Sequence, residues 1–262
     1  HYMDYIQKGW RLLKPATDYN ESLPDDNPYE GKIDKSKGPI FPYDLNKLYK
    51  ETGADILRTT PFGNDLLADI ALQAIESESL GKDNDTDFLT VSFSSTDYVG
   101  HTFGPRSMEI QDTYLRLDLT LARIFDYLDK KVGKDNYLLF LTADHAAAEN
   151  PIFLSDRKYD VTNVPSKETF KSLEKFSIAT YGVNLVSNYS NYNIYLNRDL
   201  VKTKGLELSA VKQAFKTFIL ELPHIKRVYT DEEILASSGG DYYLNFIFKG
   251  FDPKQNGDLV LV

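Results

Sequence analysis

Two continuously apolar runs, Phe88-Leu-Thr-Val-Ser-Phe93 and Tyr137-Leu-Leu-Phe-Leu-Thr142, constrain the fold more than any other feature of this sequence. Runs that do not alternate cleanly with polar residues fit strands buried on both faces, and such strands belong to parallel sheets covered by helices. The segments before them supply the helices. Leu66, Leu67, Ile70, Ala71, Ala74 and Ile75 recur at helical spacing, with Asn64 as N-cap and Gly81 as a stop. In this reading Thr60-Pro61-Phe62-Gly63-Asn64 does no more than launch that helix. Ile110, Tyr114, Leu117, Leu121, Ile124, Leu128 and Val132 form the stripe of a long amphipathic helix that Gly133 ends. Helix, strand, helix, strand predicts an α/β fold: a central, mostly parallel sheet flanked by helices.

The style of the chain changes on either side. Residues 1–55 are rich in Pro, Asp and Tyr, with a turn cluster at Leu23-Pro24-Asp25-Asp26-Asn27-Pro28, and read as an irregular covering arm. Residues 56–174 form the α/β core. Residues 175–250 read as a smaller α+β subdomain, with strands expected at Gly182–Val186, Asn193–Leu196 and Tyr243–Phe248. One helix lies among them, carrying Leu208, Val211, Phe215, Phe218, Ile219 and Leu222. Residues 251–262 are expected to return to the main sheet as a strand.

A chain of 262 residues can bury a sizeable core, so self-contained chemistry is not excluded by size. The absence of cysteine removes disulfides, thiol nucleophiles, iron–sulfur clusters and cysteine zinc sites. A net charge of −9 without a long basic run argues against nucleic-acid recognition, and no apolar stretch is long enough to span a bilayer. The first residues lack a starting methionine and the basic and apolar regions of a signal peptide. The last, Leu259-Val260-Leu261-Val262, stop without a turn. The expectation is therefore a piece of a longer chain with an incomplete core.

Open α/β sheets place their sites beyond the carboxyl ends of the strands. The first apolar run leads into Ser94-Ser95-Thr96-Asp97-Tyr98-Val99-Gly100-His101, and the second into Ala143-Asp144-His145. Each segment pairs a carboxylate with an imidazole, the mixed oxygen and nitrogen donors that suit Zn²⁺ and related ions. Either pair alone also reads as a turn-capping aspartate beside a hydrogen-bonded loop histidine. Two such pairs at successive strand ends, in a chain with only four histidines, favour ligation. His1 and His224 are expected to be exposed and without a role. No P-loop, G-x-G-x-x-G or G-x-S-x-G occurs.

These two segments, joined by Asp112-Thr113-Tyr114-Leu115-Arg116-Leu117-Asp118, closely resemble the alkaline phosphatase superfamily. Within it the chain is similar to the type I phosphodiesterase/nucleotide pyrophosphatase branch, and most similar to the periplasmic alkaline phosphatases of Bacteroidetes-type bacteria. The resemblance implies two Zn²⁺ ions at the carboxyl ends of the sheet. It makes Asp97 and His101 ligands of one, and Asp144 and His145 ligands of the other. It implies hydrolysis of a small-molecule phosphate monoester or diester through a covalent phospho-Thr or phospho-Ser, in a periplasmic or secreted protein. The family's nucleophile, an N-terminal aspartate ligand and a late histidine ligand have no counterpart here: the first two are expected upstream of His1 and the third after Val262. The 262 residues alone are accordingly expected to be inactive. A sulfatase or a cofactor-independent phosphoglycerate mutase shares the superfamily's fold but resembles the Asp-Tyr-Val-Gly-His context less. A non-catalytic envelope-associated binding domain, with structural Asp/His pairs, is the reading from a different class.

Overall fold

The computed structural model describes residues 1–161, 166–237 and 239–262. They fall into two units, His1–Asp160 and Val161–Val262.

The first unit is built from six helices among the described residues: α1 (Tyr2–Lys8), α2 (Leu45–Thr52), α3 (Phe62–Ser77), α4 (Ser95–Phe103), α5 (Met108–Leu128) and α6 (Pro151–Asp156), with a 3₁₀ segment at Gly53–Thr59. Helix α5 matches the predicted stripe and unwinds through a π-helical turn at Asp129–Gly133, where Gly133 takes a positive φ. Helix α3 starts two residues before the expected cap. Its N-cap is Pro61, and Asn64 lies in the first turn, buried. The cap expectation fails because Asn64 points its amide at another helix.

Residues 1–55 are not a covering arm. Ile6, Trp10, Tyr43, Leu45 and Leu48 supply nearly half of the buried cluster that also holds Ile56, Leu57, Phe62, Val99, Phe103 and Ile110. Trp10 and Tyr43 exchange backbone hydrogen bonds at 3.0 and 2.8 Å, and the Trp10 ring meets Phe41 and Phe103 edge-on. A high Pro and Asp content hid this, because the apolar residues that matter are few and do not follow one period. The segment is fastened by Asp112 of α5, which is fully buried. Its carboxylate accepts from Trp10 Nε1 (2.8 Å), Leu13 N (2.8 Å), Arg116 Nε (2.7 Å) and the Tyr19 hydroxyl. Four donors around one carboxylate replace the water that burial removes.

The two apolar runs behave differently from the helices. Neither Phe88–Phe93 nor Tyr137–Thr142 takes part in a strand ladder among the described residues, and Phe88, Leu138 and Phe140 are 87%, 81% and 78% exposed. A strand is stabilised by ladder bonds to neighbouring strands, and no described segment of this unit offers them. Among the described residues of this unit the helices and the site-bearing loops are formed, and the expected parallel sheet is not.

In the second unit, α7 (Ser166–Tyr181), α8 (Arg198–Thr203), α9 (Leu208–Leu220), α10 (Asp231–Leu235) and α11 (Tyr242–Gly250) accompany β1 (Val186–Ser190), β2 (Asn193–Leu196), β3 (Val228–Thr230) and β4 (Leu259–Leu261). The sheet order is β1-β2-β4-β3 with every neighbour antiparallel. Three expectations shift here. The boundary falls at Asp160/Val161 rather than at 174, because α7 puts Leu173 into this unit's core beside Phe215, Ile219 and Leu259. The last strand stays in this small sheet, between β2 and β3, instead of returning to the main one. Residues 243–248, read as a strand, are helical. Asp241 caps α11 by accepting from Leu244 N at 3.0 Å, and Leu244, Ile247 and Phe251, spaced for one helix face, pack on Tyr229, Ile234 and Val260. The first strand lies later than expected, at Val186–Ser190, and Asn193–Leu196 is a strand as read. Lys212 is buried, and its ammonium is neutralised by Asp231 (2.5 Å) and Glu232 (2.6 Å).

Two predictions follow from the first unit's buried carboxylates. Asp112→Ala strands a guanidinium, an indole N–H, a hydroxyl and a backbone N–H, so denaturant unfolding should show a loss of about 3–5 kcal/mol. Glu109, also fully buried, accepts from Tyr43 Oη at 2.5 Å through one oxygen and has no partner for the other. Burial, with Asp25 and Asp112 nearby, pushes its carboxyl up from 4.5 to about 7. The folded state then holds a proton that the unfolded chain releases. The contribution to stability is complete below about pH 4.5 and is lost as pH rises through about 7. Glu109→Gln, which mimics the protonated form, should match the parent near pH 4.5 and exceed it at pH 8 by up to about 3 kcal/mol, and parallel pH profiles would refute the assignment.

Candidate metal-ligand site

Helix α4 carries Asp97 and His101 four residues apart, so both project from one face while Val99 and Phe103 are buried on the other. The split between faces explains how a nine-residue helix serves the core and solvent together. His101 Nε2 lies 3.5 Å from Asp97 Oδ2. Asp144 and His145 lie in the loop that follows the second apolar run, where His145 N donates to Asp144 Oδ1 at 3.1 Å. The two pairs, read from separate segments, meet. His145 Nε2 is 3.8 Å from Asp97 Oδ1 and 3.5 Å from Asp144 Oδ2, which puts Asp97 between both imidazoles.

All four side chains reach solvent, from 47% exposure at Asp97 to 89% at Asp144. His145 Nδ1 lies 3.2 Å from the Ala146 carbonyl, which only accepts, so the contact is a hydrogen bond when Nδ1 carries the hydrogen. In that tautomer the neutral ring offers the lone pair of Nε2 towards two carboxylates. Acceptors facing one another at 3.5–3.8 Å are stabilised by a positive charge between them, and a backbone bond to the outer imidazole nitrogen is how ligating histidines are commonly oriented. The donor set therefore fits divalent ions in its chemistry. In number it falls short: among the described residues no three His, Asp or Glu side chains converge as a complete metal site.

The remaining histidines lie elsewhere. His1 caps α1, and His224 is exposed at a positive φ of 75°. Asp112 and Arg116, part of the segment that joins the two motifs, pair with each other inside the fold and hold the N-terminal segment. Tyr98, between the two ligand-type residues of α4, sits on the Arg58 guanidinium, 4.3 Å from carbon to ring centre. Residue patterns gave no sign of that contact, because it depends on how the 3₁₀ segment lies against α4.

Comparison with known proteins places the chain in a family. The family model described as type I phosphodiesterase / nucleotide pyrophosphatase matches residues 4–261, and the chain belongs to that family. It is 40% identical over 262 residues to the alkaline phosphatase PafA of Elizabethkingia meningoseptica, covering 98% of this chain and 47% of that protein. It is also 40% identical over 261 residues to a Myroides odoratus protein named calcium-transporting ATPase, covering 98% of this chain and 48% of the relative. The crystal structure of wild-type PafA matches with a TM-score of 0.92 at 39% identity, covering 100% of this chain and 50% of that one. The fold is thus the alkaline phosphatase fold expected from the motifs. The chain spans about half the length of the curated relatives it matches.

Proposed function

We propose that this chain is the metal-ligand portion of a phosphate-ester hydrolase of the alkaline phosphatase type. The observation that carries the reading is the meeting of Asp97, His101, Asp144 and His145, with His145 Nε2 3.8 Å from Asp97 Oδ1. Asp97 and His101 would hold one Zn²⁺, and Asp144 and His145 the other. Divalent ions at such a site neutralise phosphoryl oxygens and lower the pKa of an attacking oxygen. Helix α4 sets the spacing of its two donors, and with Nδ1 protonated the His145 ring donates to the Ala146 carbonyl. A chain charge of −9 repels anionic substrates at long range, so attraction has to arise locally at the ions.

The substrate in this reading is a small phosphate monoester or diester, and the setting is the periplasm or outside the cell. The nucleophile, a threonine or serine that takes the phosphoryl group covalently, is contributed from outside these 262 residues. With two donors per ion and no nucleophile, the chain by itself is inactive.

Turnover of p-nitrophenyl phosphate with added Zn²⁺ tests this. The isolated chain should show none above background, whereas a counterpart spanning the full length of the relatives should be active. In that counterpart Asp97→Asn or His145→Ala should lower kcat/KM by at least about 100-fold, since even the outer partners of metal ligands are worth 10–100-fold. Robust turnover by the isolated chain, or full activity of both variants, overturns the proposal.

A further inference from the structure

The segment Thr60-Pro61-Phe62-Gly63-Asn64, read from sequence as a plain helix start, does something more specific. Helix α4 begins without a cap of its own: Ser94 stands at the N-cap position in helical backbone geometry and its side chain makes no capping bond. The carboxamide of Asn64, only 2% exposed, supplies what is missing. Its Oδ1 accepts from Ser95 N at 3.2 Å, and its Nδ2 donates to Thr96 Oγ1 at 3.0 Å. A helix leaves its first N–H groups unsatisfied, and here one of them is taken up by a side chain from a different helix.

Gly63 makes the approach possible. A Cβ built on it would stand 2.1 Å from Ser95 Oγ and 2.8 Å from the Leu57 carbonyl oxygen. Its φ is not positive, so the glycine is there for closeness, not for backbone freedom. A further contact from the same stretch of chain, Arg58 under the Tyr98 ring, holds the next part of α4.

We propose that Asn64, with Gly63, is the positioning residue of the candidate metal site: it sets the rotation of α4 and so the aim of Asp97 and His101. The inference rests on the metal-ligand reading of those two residues. Asp97 directly follows the clamped Ser95-Thr96 pair. On a helix whose side chains reach 5–6 Å from the axis, a rotation of about 20° displaces them by roughly 2 Å. That is enough to part Asp97 from His145, which it now meets at 3.8 Å.

The test compares the chain with Asn64→Leu, which keeps the shape and removes both bonds, and with Gly63→Ala. Thr120→Ala is the control, since it removes a neighbouring bond from α5 to Asp65 of α3 (2.5 Å) without touching α4. Zn²⁺ binding is measured by calorimetry in the counterpart spanning the full length of the relatives, and stability by denaturant unfolding and amide exchange at Ser95 and Thr96 by NMR in the 262-residue chain. Asn64→Leu and Gly63→Ala should weaken Zn²⁺ binding about 10–100-fold, the range for lost supporting partners of metal ligands, and expose the Ser95 amide to exchange. Thr120→Ala should change neither. Unchanged zinc affinity in Asn64→Leu, or an equal loss in Thr120→Ala, overturns the proposal. If the full-length counterpart takes up no Zn²⁺, or Asp97→Asn is silent in it, it is the metal reading that fails. Amide exchange then decides the clamp alone: full protection of Ser95 in Asn64→Leu overturns it, and selective loss there upholds it.

Discussion

The larger unit is organised around a charge that has been taken out of water. Asp112 sits on the inner face of α5 with four donors around it: an indole, a loop amide and a tyrosine from the N-terminal segment, which would otherwise be free to leave, and the guanidinium one turn along the same helix. Because an uncompensated buried carboxylate is expensive, the arrangement is close to all-or-none. Trp10, fixed by that carboxylate, is the surface on which Phe103 rests at the C-terminal end of α4. Asn64 grips the same helix at its other end. The ligand-bearing helix is therefore held at both ends by buried polar groups, while the side chains it displays between them face solvent.

Rigid support behind and exposed donors in front are what the proposed metal-ligand role requires. They also account for the contrast within the unit. The helices are packed and satisfied, whereas Phe88–Phe93 and Tyr137–Thr142 show large apolar side chains to solvent and have no ladder partners among the described residues. The chain spans about half the length of the solved relative whose fold it shares. The site shows the same incompleteness in its chemistry, with pairs of donors where a metal asks for three or four.

Legibility in the sequence followed the range of the interaction. Helices α3 and α5 were readable because their apolar stripes repeat locally, and the four ligand-type residues because Asp97 with His101 and Asp144 with His145 are close in sequence. Residues 243–248 misled because aromatic residues favour strands in general, and only the cap at Asp241 and the contacts of Leu244, Ile247 and Phe251 decide for a helix. The core role of Trp10 depends on a carboxylate about a hundred residues away, and that of Tyr43 on another, Glu109. Asn64 looked like a cap, which it is, but of the wrong helix for any rule that reads neighbours.

The placement of β4 between β2 and β3 bears on how the smaller unit comes into being. β1 and β2 can pair as a hairpin as soon as both are made, whereas β3, though it packs on α9, has no strand to pair with until Leu259–Leu261 is in place. The slot in the middle of the sheet is filled last. Completing this sheet therefore requires a pairing of long sequence separation, between Asn193–Leu196 and Leu259–Leu261, the kind of contact that slows folding.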